Sequence, residues 1–121
     1  ILKKMINKIQ ENNIKIIFFI VPMHDYFKFL KFGYGRATDQ ASIDIRNNRL
    51  SREEGLELVR QHEGKIPMAY FKQFLKNLEI TEQRFLEICD KWTNKKIFKT
   101  DSEGNLIRDE HNNIEKINYD N

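Results

Sequence analysis

Cysteine, proline, glycine and long apolar runs are all scarce in this chain of 121 residues. The single Cys89 excludes an internal disulfide bond and is typical of proteins in a reducing compartment. The longest apolar run, residues 16–21, has six residues, whereas a membrane-spanning helix needs about 20. Charged and polar residues interrupt the apolar positions before it, so no signal peptide is recognisable. These scarcities predict a cytoplasmic protein with no membrane partner.

The motifs of common metal and catalytic centres are also missing. The histidines His24, His62 and His111 lie too far apart for the paired spacing of a zinc site. The acidic segment 101–105 has its glycine at the fourth position rather than the sixth, which excludes a calcium loop. No phosphate-binding loop, dinucleotide fingerprint or Ser-His-Asp set is recognisable. The residues alone therefore predict no metal site and identify no catalytic residue.

Positive charge is concentrated near the amino end. Residues 1–36 contain seven lysine and arginine side chains and two acidic ones, and the whole chain has a net charge of +3. A basic front end can meet the phosphates of a nucleotide or a nucleic acid. It can equally be a lysine-rich helix face in contact with solvent.

Most of the chain has the apolar spacing of helices. Apolar residues at positions i, i+3, i+4 and i+7 recur within residues 25–94 and predict a helical region. Its last two helices have core faces over residues 71–78 and 85–92. Ser51 and Glu54 have the spacing of a capping box, which predicts a helix start at this point.

Two segments depart from the helical pattern. The β-branched and aromatic run Ile14–Val21, closed by Pro22, predicts one buried strand. Two short apolar stretches around Gly104 predict a β-hairpin over residues 95–108, and the polar tail 109–121 is expected to be loose. The predicted fold class is therefore mainly α (α+β), with one buried strand near the N-terminus and a hairpin near the C-terminus. Since one strand cannot form a sheet, we expect the chain to be part of a larger α/β enzyme.

The segment 31–49 is the most informative for function. Its Gly-Tyr-Gly-Arg loop, residues 33–36, leads into a predicted helix, and backbone N–H groups at a helix N-terminus suit an anion. Asp39, Ser42 and Arg46 would follow along one face of that helix. A purely structural interpretation stays open, in which the glycines form a turn and Arg36 pairs with Asp39.

The same segment carries a resemblance to a known family. The strings KFGYGRATDQASIDIR (31–46), RLSREEG (49–55), ELVR (57–60) and LEITEQRF (78–85) resemble the C-terminal part of N-acetyl sugar amidotransferases. The resemblance covers about residues 25–108 and also includes Trp92 and the segment after it. It implies an ATP-dependent, PP-loop-type enzyme of bacterial surface-polysaccharide synthesis, such as lipopolysaccharide or O-antigen. Residues 1–24 would then be the end of its α/β nucleotide-binding domain.

The resemblance also implies a reaction and its participants. Such enzymes convert the N-acetyl group of a sugar, which we take to be nucleotide-linked, to an acetamidino group, with ATP and Mg as the activating cofactors. Ammonia comes from glutamine through a separate glutaminase subunit. The family's SGGxDS loop for ATP is absent from these residues, so the chain by itself is expected to be inactive.

On this resemblance we predict a substrate-binding surface around the start of the helix after Gly35. Lys31 and Arg36 would hold phosphate charge, and Thr38, Asp39 and Ser42 would bond sugar hydroxyls or orient Arg36. The predicted substrate-binding residues are Lys31, Gly33, Gly35, Arg36, Thr38, Asp39, Ser42 and Arg46.

Two alternative interpretations remain open. The chain could be a small helical module that binds nucleic acid, the less favoured partner, through its basic and aromatic front. That front comprises Lys28, Phe29, Lys31, Phe32, Tyr34 and Arg36. It could also be a helical cap that contacts the glutaminase partner, which is compatible with the amidotransferase interpretation.

Overall fold

The computed structural model describes residue 1 and residues 15–117, and these are mainly helical, as predicted. The five helices of the described residues are α1 (Lys15–Phe32), α2 (Arg36–Arg46), α3 (Arg52–His62), α4 (Met68–Leu78) and α5 (Glu82–Trp92). Residues 93–117 follow as turns and short extended segments. In this part of the chain, no helix has the length and apolar character needed to cross a membrane.

The predicted strand at Ile14–Val21 is wrong, because residues 15–21 form the beginning of α1 and Pro22 lies inside that helix. Ile14 itself lies outside the described residues. A short apolar run cannot be assigned to strand or helix by periodicity alone, and the proline that follows this run does not end the element. α1 continues without a break through position 25, where a new region was expected to begin.

Aromatic side chains from α1, α4 and α5 form the centre of the molecule. Phe71 and Phe85 pack edge to face with ring centroids 4.9 Å apart, and Phe29 meets Phe98 in the same manner at 5.2 Å. Trp92, which the apolar spacing placed in the core, is the last residue of α5 and is 72% exposed, so that prediction is wrong. The aromatic core comprises Met23, Tyr26, Phe29, Leu30, Ile66, Phe71, Phe74, Phe85, Cys89, Phe98 and Ile114.

Helices α2 and α3 form a closely packed pair beside this core. A Cβ atom at Gly55 would lie 2.6 Å from Cδ1 of Ile45, so glycine permits the close approach of the two helices. The capping box at the start of α3 is confirmed: Ser51 Oγ accepts from the backbone of Glu54, and the Glu54 carboxylate accepts from Ser51 N at 2.7 Å. The backbone N–H of Ser51 lowers the pKa of that carboxyl group.

The predicted hairpin over 95–108 is replaced by three short segments joined by isolated antiparallel bridges. Thr100 is bridged to Leu106, but residue 98 is bridged to 116 and residue 108 to 114. The N–H of Lys99 donates to Glu115 O, and that of Ile117 donates to Ile97 O. Part of the tail expected to be loose therefore bonds to the segment 97–99. Residues 118–121 lie outside the described residues.

Two similar turns produce this arrangement. In the turn 101–105, Oδ1 of Asp101 accepts the N–H groups of the third and fifth residues, and Asp109 does the same in 109–113. The fourth residue has a positive φ in both turns, 84° at Gly104 and 62° at Asn112. The sequence prediction found only the first turn because Asn112 replaces the glycine that marks it.

Candidate ligand-binding cleft

A cleft of about 450 Å³ lies where α1, the start of α2 and the end of α3 meet. Its floor is largely apolar, with Pro22, Phe29, Ala41 and Leu58 among the residues that form it. Its polar lining consists of Asp25, Arg36, Gln40, Asp44, His62, Glu63 and Lys65. A volume of this size falls within the range of roughly 300–1,000 Å³ that is common for small-molecule sites.

The N-terminus of α2, where the sequence predicted an anion, holds the carboxylate of Glu63. Glu63 Oε1 accepts from the backbone N–H of Gly35 at 2.5 Å and of Thr38 at 3.2 Å. Glu63 Oε2 accepts from the Thr38 hydroxyl at 2.6 Å. The anion at this helix end is therefore part of the protein, and it comes from the residue that follows α3.

The basic residues near the cleft are largely paired with acidic ones. Arg36 donates to Asp25 at 2.7 Å, rather than to Asp39 as the structural interpretation of the sequence had it. Lys28 donates to Asp39 at 2.5 Å and also lies 4.6 Å from the centre of the Tyr34 ring. These hydrogen bonds to carboxylates raise the pKa of the Arg36 and Lys28 side chains above their usual values.

The polar lining of the cleft contains three carboxylates, those of Asp25, Asp44 and Glu63. Asp44 accepts from Arg49 at 2.8 Å and from the Gln40 amide, so it is already oriented. Lys65 donates to a backbone oxygen of α3. A triphosphate needs several uncommitted cations, and the lining does not provide them. This cleft therefore does not fit ATP with Mg.

The structure brings part of the predicted substrate surface to the cleft. Gly35 and Arg36 line it, and Thr38 lies next to it through its bonds to Glu63. The other five predicted residues are not among those that line the cleft, and their role in substrate binding stays a prediction. They are Lys31, Gly33, Asp39, Ser42 and Arg46.

The surroundings of these five residues differ. Lys31 is exposed and lies over the Phe32 ring, and Gly33 is buried against Ile97, with a φ of 77°. Asp39 is paired with Lys28 as described, while Ser42 is half-buried. Arg46 is exposed in the last turn of α2.

The structure also leaves fewer residues available for the predicted nucleic-acid-binding surface. Phe29 is buried in the aromatic core, and Lys28 and Arg36 are paired with carboxylates. Of the six residues proposed for it, Lys31, Phe32 and Tyr34 remain exposed without an acidic partner among the described residues.

Sequence reasoning missed Asp25, Gln40, Asp44, His62 and Glu63 as residues of the site. Asp25 and Glu63 are 38 positions apart, and the carboxylate of Glu63 reaches a loop 28 positions away. No local pattern reports such a contact. The one available signal was Gly64, since a glycine just after a helix marks its end and a change in chain direction.

A second group of titratable side chains lies inside the aromatic core. Burial raises the pKa of the Tyr26 hydroxyl and of the Cys89 thiol to about 12. Both groups are therefore protonated at neutral pH, and Cys89 is not an activated nucleophile. Within the part of the chain that the structure describes, no three His, Cys, Asp or Glu side chains converge as a metal site would require.

The fold and the cleft are those of a small helical region that can hold a ligand of modest size. Residues 7–113 match the family model described as LPS biosynthesis protein WbpG-like, C-terminal domain. The chain belongs to this family, which places it in the biosynthesis of lipopolysaccharide and confirms the resemblance to the C-terminal part of a surface-polysaccharide enzyme. The chain has no match among curated proteins or solved structures.

Proposed function

We propose that the chain is the C-terminal region of a cytoplasmic, ATP-dependent amidotransferase of lipopolysaccharide biosynthesis. The enzyme would convert the N-acetyl group of a nucleotide-linked sugar to an acetamidino group with ammonia that a separate glutaminase subunit releases from glutamine. Because the cleft does not fit a triphosphate, ATP and Mg would bind elsewhere in the full-length enzyme.

The observation that supports this proposal is the composition of the cleft at the start of α2. Carboxylates such as Asp25 and Asp44 accept hydrogen bonds from sugar hydroxyls, and an apolar floor of Phe29 and Leu58 suits the methyl of an acetyl group. A net excess of carboxylates disfavours phosphate. The cleft would therefore hold the sugar ring, while the phosphates of the nucleotide point away from it.

A pair of leucines on α3 offers a direct test. Leu58 is 39% exposed and lines the cleft, whereas Leu56 is 44% exposed on the same helix and does not line it. Leu56 lines a second depression next to the segment 114–116, which shares only Phe29 and Glu63 with the cleft. Leu58→Trp should fill the cleft, while Leu56→Trp adds the same bulk outside it. Both variants are made in the full-length enzyme and assayed with its glutaminase, Mg-ATP and an N-acetyl sugar nucleotide. AMP release and the mass of the sugar product are measured.

We expect Leu58→Trp to lower kcat/KM about tenfold or more, mainly through KM, and Leu56→Trp to leave it within about twofold. Equal effects of the two substitutions would exclude the cleft as the sugar site. A wild-type enzyme that consumes no ATP and forms no amidino product would exclude the reaction itself.

A further inference from the structure

We propose that Glu63 is a positioning residue, which fixes the first turn of α2 and thereby the wall of the cleft that carries Arg36. The catalytic part of this inference rests on the proposed function. Its structural part concerns only how one carboxylate joins two helices.

The contacts of Glu63 connect the end of α3 to the beginning of α2. One carboxylate oxygen accepts two backbone N–H groups, those of Gly35 and Thr38, and the other accepts the Thr38 hydroxyl at 2.6 Å. The N-cap residue of α2, Gly35, supplies no side-chain cap of its own. The first turn of α2 therefore depends for its cap on a residue 28 positions away.

Two glycines, Gly35 and Gly64, lie on either side of this contact, and close packing around both of them restricts the position of Glu63. A Cβ atom at Gly35 would lie 3.4 Å from the Glu63 carboxylate and 3.5 Å from the backbone oxygen of Asp25. The backbone at Gly35 is therefore close to both residues. On the other side, Gly64 has a φ of 73° and its Cα is packed against the Phe29 ring. The backbone that carries Glu63 is therefore held against α1.

The position of Arg36 follows from this arrangement. Arg36 is the first residue of α2, directly after Gly35, and it reaches across to Asp25 on α1 at 2.7 Å. Glu63, Arg36 and Asp25 all line the cleft. If the carboxylate is removed, the first turn of α2 loses three hydrogen bonds at once, and the Arg36–Asp25 pair loses the backbone support that places it at the cleft.

The chain contains a matched control for the effect of a helix cap. Glu54 also places a carboxylate at a helix N-terminus, where it accepts from Ser51 N at 2.7 Å, but it does not line the cleft. Its bond lies within one turn of α3, so it joins no second helix. Glu54→Ala therefore removes a cap while leaving the contact between α2 and α3 intact.

Two measurements on the full-length protein test the inference. Amide hydrogen exchange at Gly35 and Thr38 reports on the first turn of α2 and needs no turnover. Steady-state kinetics report KM and kcat separately. The variants are Glu63→Ala, Glu63→Gln, which keeps an oxygen acceptor for both N–H groups, and Glu54→Ala.

We expect Glu63→Ala to speed exchange at both amides about tenfold or more and to raise the sugar KM by a similar factor, with kcat within about twofold. Glu63→Gln should restore exchange and KM to within about threefold of wild type. Glu54→Ala should lower Tm and leave both readouts unchanged.

Two results for Glu63→Ala would each overturn the inference. One is unchanged exchange at Gly35 and Thr38, and the other is faster exchange there with an unchanged KM. A rise in KM for Glu54→Ala equal to that for Glu63→Ala would overturn it as well, because the effect would then come from general stability. If the wild-type enzyme shows no amidotransferase turnover, the proposed function fails. The exchange comparison still decides whether Glu63 fixes α2.

Discussion

The two halves of this molecule are held together by different kinds of interaction. The half formed by α1, α4, α5 and the segment 93–117 contains the aromatic core, in which Phe71, Phe85 and Phe98 are at most 2% exposed. The half formed by α2 and α3 contributes no side chain to that core among the described residues. It is joined to α1 by ion pairs, Arg36–Asp25 and Lys28–Asp39, while the contacts of Glu63 join its own two helices to each other.

This difference predicts an uneven distribution of stability. Burial of a large apolar side chain stabilises a fold by roughly 1.5–3 kcal/mol, whereas an exposed ion pair contributes about 0–1 kcal/mol. We therefore expect α2 and α3 to open at a lower free energy than α4 and α5. A ligand-binding region needs such freedom to admit and release its ligand, and the cleft lies on this boundary.

The largest expected effect comes from the aromatic half. Phe71→Ala removes a ring that is 1% exposed and packs against Phe85, so we expect a loss of about 3–5 kcal/mol in the free energy of unfolding. Urea denaturation followed by circular dichroism measures it. Trp92→Ala is the control, since Trp92 is an aromatic residue at 72% exposure and should change the free energy by less than about 0.5 kcal/mol. Similar losses for the two variants would contradict the assignment of the core.

A smaller effect is expected at the boundary between the halves. Gly64 and Gly104 both have a positive φ, 73° and 84°, so alanine at either position costs about 1–2 kcal/mol in backbone conformation. At Gly104 a Cβ atom would meet nothing within 4 Å, but at Gly64 it would collide with the Phe29 ring. Gly64→Ala should therefore cost about 1–3 kcal/mol more than Gly104→Ala in urea denaturation. Equal costs would mean that α1 and the turn after α3 are less closely packed than described.

The parts of the fold that could be predicted from the sequence depend on contacts within a few residues. The capping box of Ser51 and Glu54 joins positions three apart, and the apolar spacing over 71–78 follows one face of one helix. The strand prediction at residues 14–21 failed because the same β-branched residues suit a buried strand or a buried helix. In α1 the spacing of Met23, Tyr26 and Leu30, all buried, settles the choice for the helix.

Of the cleft, only the loop at residues 33–36 could be predicted from the sequence. The glycines and Arg36 correctly indicated the start of a helix, and Gly35 and Arg36 line the cleft. The binding of a substrate anion at this helix end stays a prediction. The identity of the anion was not predictable, because Glu63 is 28 positions away and a glutamate near a helix end is ordinarily in contact with solvent. The closing turn at 109–113 escaped detection for a related reason: Asn112 adopts, at 62°, the backbone conformation usually marked by glycine.

The smallest expected effect concerns the polar contacts of the two aspartate turns in the aromatic half. Hydrogen bonds from backbone N–H groups, above all from that of Asn105, lower the pKa of the Asp101 carboxyl below its ordinary value of 3.8. The backbone N–H of Asn113 lowers the pKa of the Asp109 carboxyl in the same way. A carboxyl with a lowered pKa in the folded state stabilises the fold above its unfolded pKa, and that stabilisation is lost as the pH falls below 3.8. Asp109→Asn should therefore lower Tm at pH 7 by at most a few degrees, and the difference from wild type should shrink below pH 3.8.

Thermal melts between pH 7 and pH 2.5 measure that difference, and Glu103→Gln is the matched control. Glu103 is an exposed carboxylate in the neighbouring turn that accepts no hydrogen bond within the described residues, so its loss removes charge without removing a turn contact. If Glu103→Gln has the same pH dependence as Asp109→Asn, the effect comes from net charge. If only Asp109→Asn shows this pH dependence, the turn 109–113 stabilises the aromatic half. The turn then helps to hold the segment 114–117 in place, in addition to the β-bridges of that segment.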